Sequence, residues 1–234
     1  MKGLCSQTGR AVSLAAGAFL IASRGLVDFL LPPACPLCRE DLATEAGICP
    51  RCLEAAGVDP SWRSGDAVLH AVGNAAAYGG ATEEMIKGLK YSGRLSLARP
   101  LGRLLAQAVD EQILACTLVA PVPLHPRRLA ERGFNQSLLL VRELSGQAGL
   151  PAEVVPRLLV RSRYTRPQVE LPAQERQENV RGAFAVAEGR EVAGHAILLV
   201  DDVFTTGATL VECATVLRRA GAARVLALTV ARAL

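Results

Sequence analysis

Residues Ile197 to Thr209 read ILLVDDVFTTGAT, and no other stretch of the 234-residue chain narrows its architecture as far. Four aliphatic residues run into two adjacent carboxylates. A turn rich in hydroxyls and glycine follows, and Ala208 to Ala220 then carries an apolar helical pattern. A buried strand that hands over to a helix in this way is the βα unit of an α/β sheet, and Arg224 to Val230 supplies the next strand. Such a turn aims several backbone N–H groups at one point, where the helix dipole also favours negative charge. Gly207 lets the backbone come close, and Thr205, Thr206 and Thr209 add hydroxyl donors. No Lys follows the glycine, so this is not a Walker A loop. A phosphate monoester suits the loop, and Asp201 and Asp202 can accept hydrogen bonds from vicinal hydroxyls. Ribose 5-phosphate presents both groups. The competing reading is an ordinary strand-to-helix turn with two solvated caps.

A second constraint comes from Cys35-Pro-Leu-Cys38 and Cys49-Pro-Arg-Cys52. Each CxxC turn brings two sulfurs to one ion, and two such turns complete a tetrahedral thiolate shell, so Cys35, Cys38, Cys49 and Cys52 are expected to hold structural Zn²⁺. Four protein ligands leave no open position for catalysis. The segment around them is short and poor in periodic pattern, and zinc would supply the staple it needs. Seven cysteines, an odd number, suit a reducing compartment better than a disulfide framework.

Three zones follow: a helical leader at 1–31, a zinc-binding module at 32–62, and an α/β domain with a mainly parallel sheet at 68–234. In the leader, Ala11 to Ser23 is apolar but too short to span a bilayer. Apolar character resumes in LVDFLLPP, so an uncleaved docking helix is preferred over a signal peptide. No integral membrane span is expected, and the location is cytoplasmic, at most peripheral to the inner membrane. In the large zone, helices are expected at Ala81 to Leu89, Leu95 to Val109 and Ser137 to Ala148. Strands are expected at Leu118 to Val122, Ala196 to Val200 and within Ala152 to Val160, interrupted at Pro156. Residues 121–137, PVPLHPRRLAERGFNQS, and Arg161 to Asn179 read as loops. The chain is 50% hydrophobic, which excludes wholesale disorder. Its net charge of +4 permits a phosphate-bearing partner without demanding one, and 4% aromatics make a base-stacking platform weak.

The strand, the two acids and TTGAT resemble the phosphoribosyl pyrophosphate (PRPP) motif of type I phosphoribosyltransferases. Joined to a double-CxxC module, they resemble the ComF family, the ComFC- and GntX-like proteins of bacterial DNA uptake and utilisation. Further matching segments are Lys90-Tyr91-Ser92-Gly93, PVPLHPRR with ERGFNQS, TRPQVEL, and Arg176-Gln-Glu-Asn179-Val-Arg181-Gly-Ala-Phe184. The resemblance runs from about Pro32 to the C-terminus. One departure is Arg39 after the first CxxC, where such knuckles commonly carry glycine.

The resemblance implies a type I phosphoribosyltransferase fold, a mainly parallel sheet flanked by helices, behind a small zinc-ribbon-like module. It implies that Asp201 and Asp202 face the ribose hydroxyls and that Thr205, Thr206, Gly207, Ala208 and Thr209 hold the 5′-phosphate. Pro121 to Arg128 corresponds to the pyrophosphate loop, with Pro123, Leu124 and His125 forming it. Arg127, Arg128 and Arg132 would meet pyrophosphate or substrate. No general base stands out; Lys90, Arg127 and Arg128 are the candidates for a catalytic part, and Thr165 to Leu171, with Gln168, for a lid. The implied ligands are PRPP with Mg²⁺, and the implied partners are competence or DNA-uptake proteins. Two alternatives stay open: a metabolic phosphoribosyltransferase of unknown acceptor, and a single-stranded DNA adaptor without turnover.

Overall fold

The structure is a computed structural model that describes residues 34–42, 48–166, 168 and 171–233. The leader expected at 1–31 lies outside them. The cysteine module ends in a short helix, α1 (Pro50–Ala55), and the chain enters the main sheet directly through β1 (Val58–Ser64) and β2 (Ala71–Ala77). Helix α2 (Gly80–Tyr91), a 3-10 turn (Leu95–Leu97), α3 (Ala98–Gln107) and α4 (Glu111–Leu114) lead to β3 (Leu118–Pro121). Then come α5 (Pro126–Arg132), α6 (Gln136–Ala148) and β4 (Glu153–Val154). A separate two-stranded sheet pairs β5 (Leu159–Arg161) with β6 (Phe184–Val186) around α7 (Ala173–Val180). The chain closes with β7 (Ala196–Phe204), α8 (Ala208–Arg219) and β8 (Arg224–Arg232).

The main sheet has the order β1-β2-β8-β7-β3-β4. Only its first pair is antiparallel; β2, β8, β7, β3 and β4 run parallel. Strands buried on both faces read as continuous apolar runs, as ILLV does in β7. Alternate residues serve two cores. Leu198, Val200, Leu226 and Leu228 pack with α2, α3 and α6 on one face, and Ile197, Leu199, Val225 and Ala227 with α8 on the other. The stripe Leu97, Leu101, Leu104, Leu105 and Ala108 is buried as its spacing foretells. Gly102 allows α3 to lie close on α6, since a Cβ there would come within 2.4 Å of Glu143 Cβ.

This topology creates a crevice. The chain leaves β3 through α5 and α6 toward β4 on one side. It leaves β7 through α8 toward β8 on the other. The carboxyl ends of β3 and β7 are therefore a switch point, where open parallel sheets bind ligands.

Several sequence expectations need correction. The loop expected at 121–137 contains α5, because Pro126 is pre-set for the first helical turn and the His125 side chain accepts from Arg127 N. The loop expected at Arg161 to Asn179 ends in α7, a strongly polar helix without an apolar stripe to betray it. The interruption at Pro156 separates β4 and β5 into two different sheets. Strand β7 runs on to Phe204, so Asp201 and Asp202 are strand residues rather than turn residues.

Candidate functional site

In the cysteine module, the first knuckle turns back so that Arg39 N donates to Cys35 O at 2.8 Å and Cys35 N to Glu40 O at 2.7 Å. Arg39 takes φ 64°, the left-handed region that favours glycine, and does so without being one. The second knuckle opens α1, with Cys52 N donating to Cys49 Sγ at 3.4 Å. The sulfurs of Cys35, Cys38, Cys49 and Cys52 all lie within 4.8 Å of one another, and those of Cys38 and Cys49 are 3.5 Å apart. Tetrahedral Zn–S bonds of about 2.3 Å require sulfurs about 3.8 Å apart, so the quartet fits structural zinc. Burial, followed by the other cysteines, pushes the Cys52 thiol up.

The module is bonded to α2 as well as packed on it. Thr82 Oγ1 donates to Ala56 O at 2.7 Å within the shared core, and Arg94 Nη1 donates to Pro36 O, inside the first CxxC, at 2.7 Å. Between these two anchors α2 delivers Lys90 to the crevice.

The crevice is a cleft of about 370 Å³. Asp201 and Asp202, as successive strand residues, leave the backbone on opposite sides and meet different partners. Asp201 Oδ1 accepts from Ser137 Oγ at 2.8 Å, at the start of α6. Asp202 Oδ1 pairs with Lys90 Nζ at 2.8 Å, both side chains being largely buried, while Asp202 Oδ2 is buried without a partner among the described residues. Burial, then the charge of Asp202, raises the Asp201 carboxyl to about 7 despite Lys90 and Ser137. Burial also opposes the charge on Lys90, but Asp202 and then Asp201 outweigh it, so the ammonium is held above its ordinary range.

Immediately after the acids, Gly207 adopts φ 76° and begins α8 with no side chain capping the helix. The first amides of α8 thus carry no side-chain cap, the condition in which helix starts can bind anions. The rest of the loop lines the cleft through Thr205, Ala208 and Thr209, whereas Thr206 faces a shallower groove beside Arg63 and Asp66. Pro123, Leu124, His125, Arg128 and Arg132 line the opposite wall, as does Lys90. Arg127 is outside the cleft, exposed over the Tyr164 ring at 5.4 Å. Gln168 reaches across from the expected lid, donating to Thr209 Oγ1 at 2.8 Å.

Sequence reasoning missed Tyr78, Gln136, Ser137 and Arg161, all of which line the cleft or bond to its acids. Gln136 and Ser137 sit in the FNQS segment that matched the family, which was the one available signal. Arg161 offered none, since it ends a three-residue strand.

Similarity to known proteins agrees with this geometry. Residues 26–61 match the double zinc ribbon domain and residues 135–233 the phosphoribosyl transferase domain. The glutamine PRPP amidotransferase of B. subtilis, solved with ADP and GMP, is 25% identical over 58% of this chain and 26% of its own, at a TM-score of 0.38. The two domain matches define a protein of the phosphoribosyltransferase class with an N-terminal zinc ribbon. Competence protein F of Haemophilus influenzae is 31% identical over 207 residues, 86% of this chain and 85% of that protein. The DNA utilization protein YhgH of Escherichia coli is 35% identical over 196 residues, 82% and 80% of the two chains. The chain belongs to their family, the ComF family. Among the described residues no helix is long and apolar enough to cross a membrane.

Proposed function

We propose that the cleft binds PRPP together with Mg²⁺, and that the protein uses this site in DNA uptake or utilisation, as its relatives' names suggest. One observation carries the reading: two acids near the end of β7 are followed, after Val203 to Gly207, by an uncapped helix start in the same cleft as an arginine-bearing loop. The amides at the start of α8 and the hydroxyls of Thr205 and Thr209 hold the 5′-phosphate, and the carboxylates of Asp201 and Asp202 accept from the ribose hydroxyls. Lys90 orients Asp202 for that purpose through the ion pair on its Oδ1. Arg128 and Arg132 neutralise the pyrophosphate as it leaves C1 of the ribose, the end at which electrostatic stabilisation matters most.

The donor set fits a magnesium ion carried in with the substrate. The cysteine quartet is the one cluster of three or more metal-ligating side chains among the described residues, so no oxygen cage awaits a cation in the cleft. Such an ion takes most of its ligands from substrate and water, and when bound it screens phosphate charge. We further place the working division of the chain into a zinc module around Cys35 to Cys52 and a ligand-binding domain beyond it.

Calorimetric titration of PRPP with Mg²⁺ tests the reading. The wild type should bind, and Asp201→Ala/Asp202→Ala should lose roughly 100-fold or more in affinity, each charge-assisted hydrogen bond being worth about 1.5–3 kcal/mol. Absence of binding by the wild type, or equal binding by the double variant, overturns it. Salt-dependent binding to single-stranded DNA that survives the double substitution would favour a nucleic-acid adaptor instead.

A further inference from the structure

Lys90 reaches Asp202 from the last turn of α2, and that turn is held by its surroundings more than by itself. Met85, Ile86 and Leu89 are buried on the core side, whereas Tyr91 is exposed and Lys87 pairs with Glu83 on the surface. The chain turns back at Gly93, φ 62°, so that Arg94 N joins Ser92 N on Gly88 O, each at 3.2 Å. Helix ends of this kind fray unless something outside them holds them.

Arg94 supplies that hold. Its stem lies along α2, where a Cβ on Gly88 would come within 3.6 Å of Arg94 Cδ. Its Nη1 crosses to Pro36 O at 2.7 Å, 58 residues back in the chain and inside the first CxxC turn. One side chain thus touches both the last turn of α2 and the turn that carries Cys35 and Cys38. At the other end of α2, Thr82 Oγ1 donates to Ala56 O, just after α1.

The ion pair that depends on this support is exacting. Lys90 and Asp202 meet at 2.8 Å with side chains 19% and 7% exposed. A buried ion pair is favourable only in good geometry, since both charges have given up water, and lysine is a point charge on a flexible stem. Its quality therefore follows from where the last turn of α2 stands. The cysteine quartet fits zinc, which when bound fixes the turn that presents Pro36 O.

We propose that Arg94 is a positioning residue that couples the zinc module to the cleft. Through it the metal-held turn at Pro36 sets Lys90 against Asp202, and thereby the cleft's affinity for its ligand. Coupling between two sites is reciprocal, so a ligand in the cleft also holds zinc more firmly. The proposal rests on the PRPP reading only for the choice of ligand.

The full-length, zinc-loaded protein tests it, with PRPP and Mg²⁺ as the probe of the cleft and a colorimetric chelator as the probe of zinc. Arg94→Met should keep its zinc yet bind PRPP about 10-fold more weakly, and Arg94→Lys should recover part of the loss. In a Lys90→Met background the same change at Arg94 should cost less than about twofold, because the path through Lys90 is already cut. Saturating PRPP should slow zinc transfer to the chelator about 10-fold in the wild type and leave it unchanged in Arg94→Met. Unchanged PRPP affinity in Arg94→Met overturns the proposal. So does an equal loss in both backgrounds, the result of general loosening. Loss of zinc by Arg94→Met also overturns it, since Arg94 would then belong to the module's own fold. A wild type that binds no PRPP defeats the PRPP reading, and hydrogen exchange then decides this inference separately. With zinc retained, the amides of residues 88–91 should exchange about 10-fold faster in Arg94→Met while residues 48–56 stay protected. Unchanged exchange at residues 88–91 overturns it.

Discussion

The cysteine module and the cleft handle charge in opposite ways. The module gathers four sulfurs between Cys35 and Cys52 closely enough for one zinc ion to satisfy them all. The cleft collects its polar groups from β7, α2, α6, the β3–α5 loop and β5, pairs some of them and leaves others short: an orphaned Asp202 Oδ2, an idle Arg161 Nε and an Asp201 carboxyl pushed up to about 7. The module's polar groups exist to hold the fold together. Those of the cleft strain the fold until a ligand arrives, which is where functional sites are expected to break local rules.

Removing a ligand of the module is the largest way to test that contrast. Cys38→Ser, or chelation of the wild type, should release zinc and unfold the module, since structural zinc contributes on the order of 10–16 kcal/mol in small modules. Zinc content and hydrogen exchange of residues 48–56 measure it. The amides of α2 should lose protection as well, because Thr82 bonds that helix to the module and Arg94 bonds the turn after it. Full protection of residues 48–56 without zinc would break the comparison.

In the cleft, removing a charge should have the opposite sign. Burial and the charge of Asp202 raise the Asp201 carboxyl from its ordinary 3.8 to about 7, so the folded protein holds that proton where the unfolded chain has lost it. Its contribution to stability therefore falls as pH rises from about 4 to about 7 and stays low above that range. Asp201→Asn should be more stable than the wild type at pH 8, by on the order of 2 kcal/mol, and the difference should shrink toward zero near pH 4. Paired thermal or urea melts across this range measure it, and a variant less stable at pH 8 would contradict the account.

The smallest effect sharpens the contrast from the other side. Arg39 is the one described non-glycine residue at positive φ, so the module carries a little strain of its own. Arg39→Gly should relieve about 1 kcal/mol, seen as a slightly higher thermal midpoint with zinc stoichiometry unchanged. A loss of stability would mean that the side chain does more than occupy the turn.

How much of each region could be read in advance follows from the same difference. The zinc ligands lie within two local turns, so spacing alone names them, and the sulfurs meet as expected. The TTGAT loop is likewise local, and its helix start stands where the pattern puts it. The partners of Asp201 and Asp202 were not legible in the same way. Ser137 stands 64 residues before Asp201 and Lys90 earlier still, and neither contact leaves a periodic trace.

Sequence by itself determined the local pieces: the apolar run of β7, the two acids, the glycine that starts α8 and the four thiolates. Those are set by short-range rules of hydrophobic period, backbone conformation and ligand spacing. The tertiary structure alone decided which charges meet. Strand order put β3 beside β7 and opened the switch point between them. Strand alternation sent Asp201 and Asp202 to different partners, and β5 carried Arg161 over the cleft. Such encounters depend on how distant segments pack, because electrostatic pairing acts through space and leaves no mark on the order of residues.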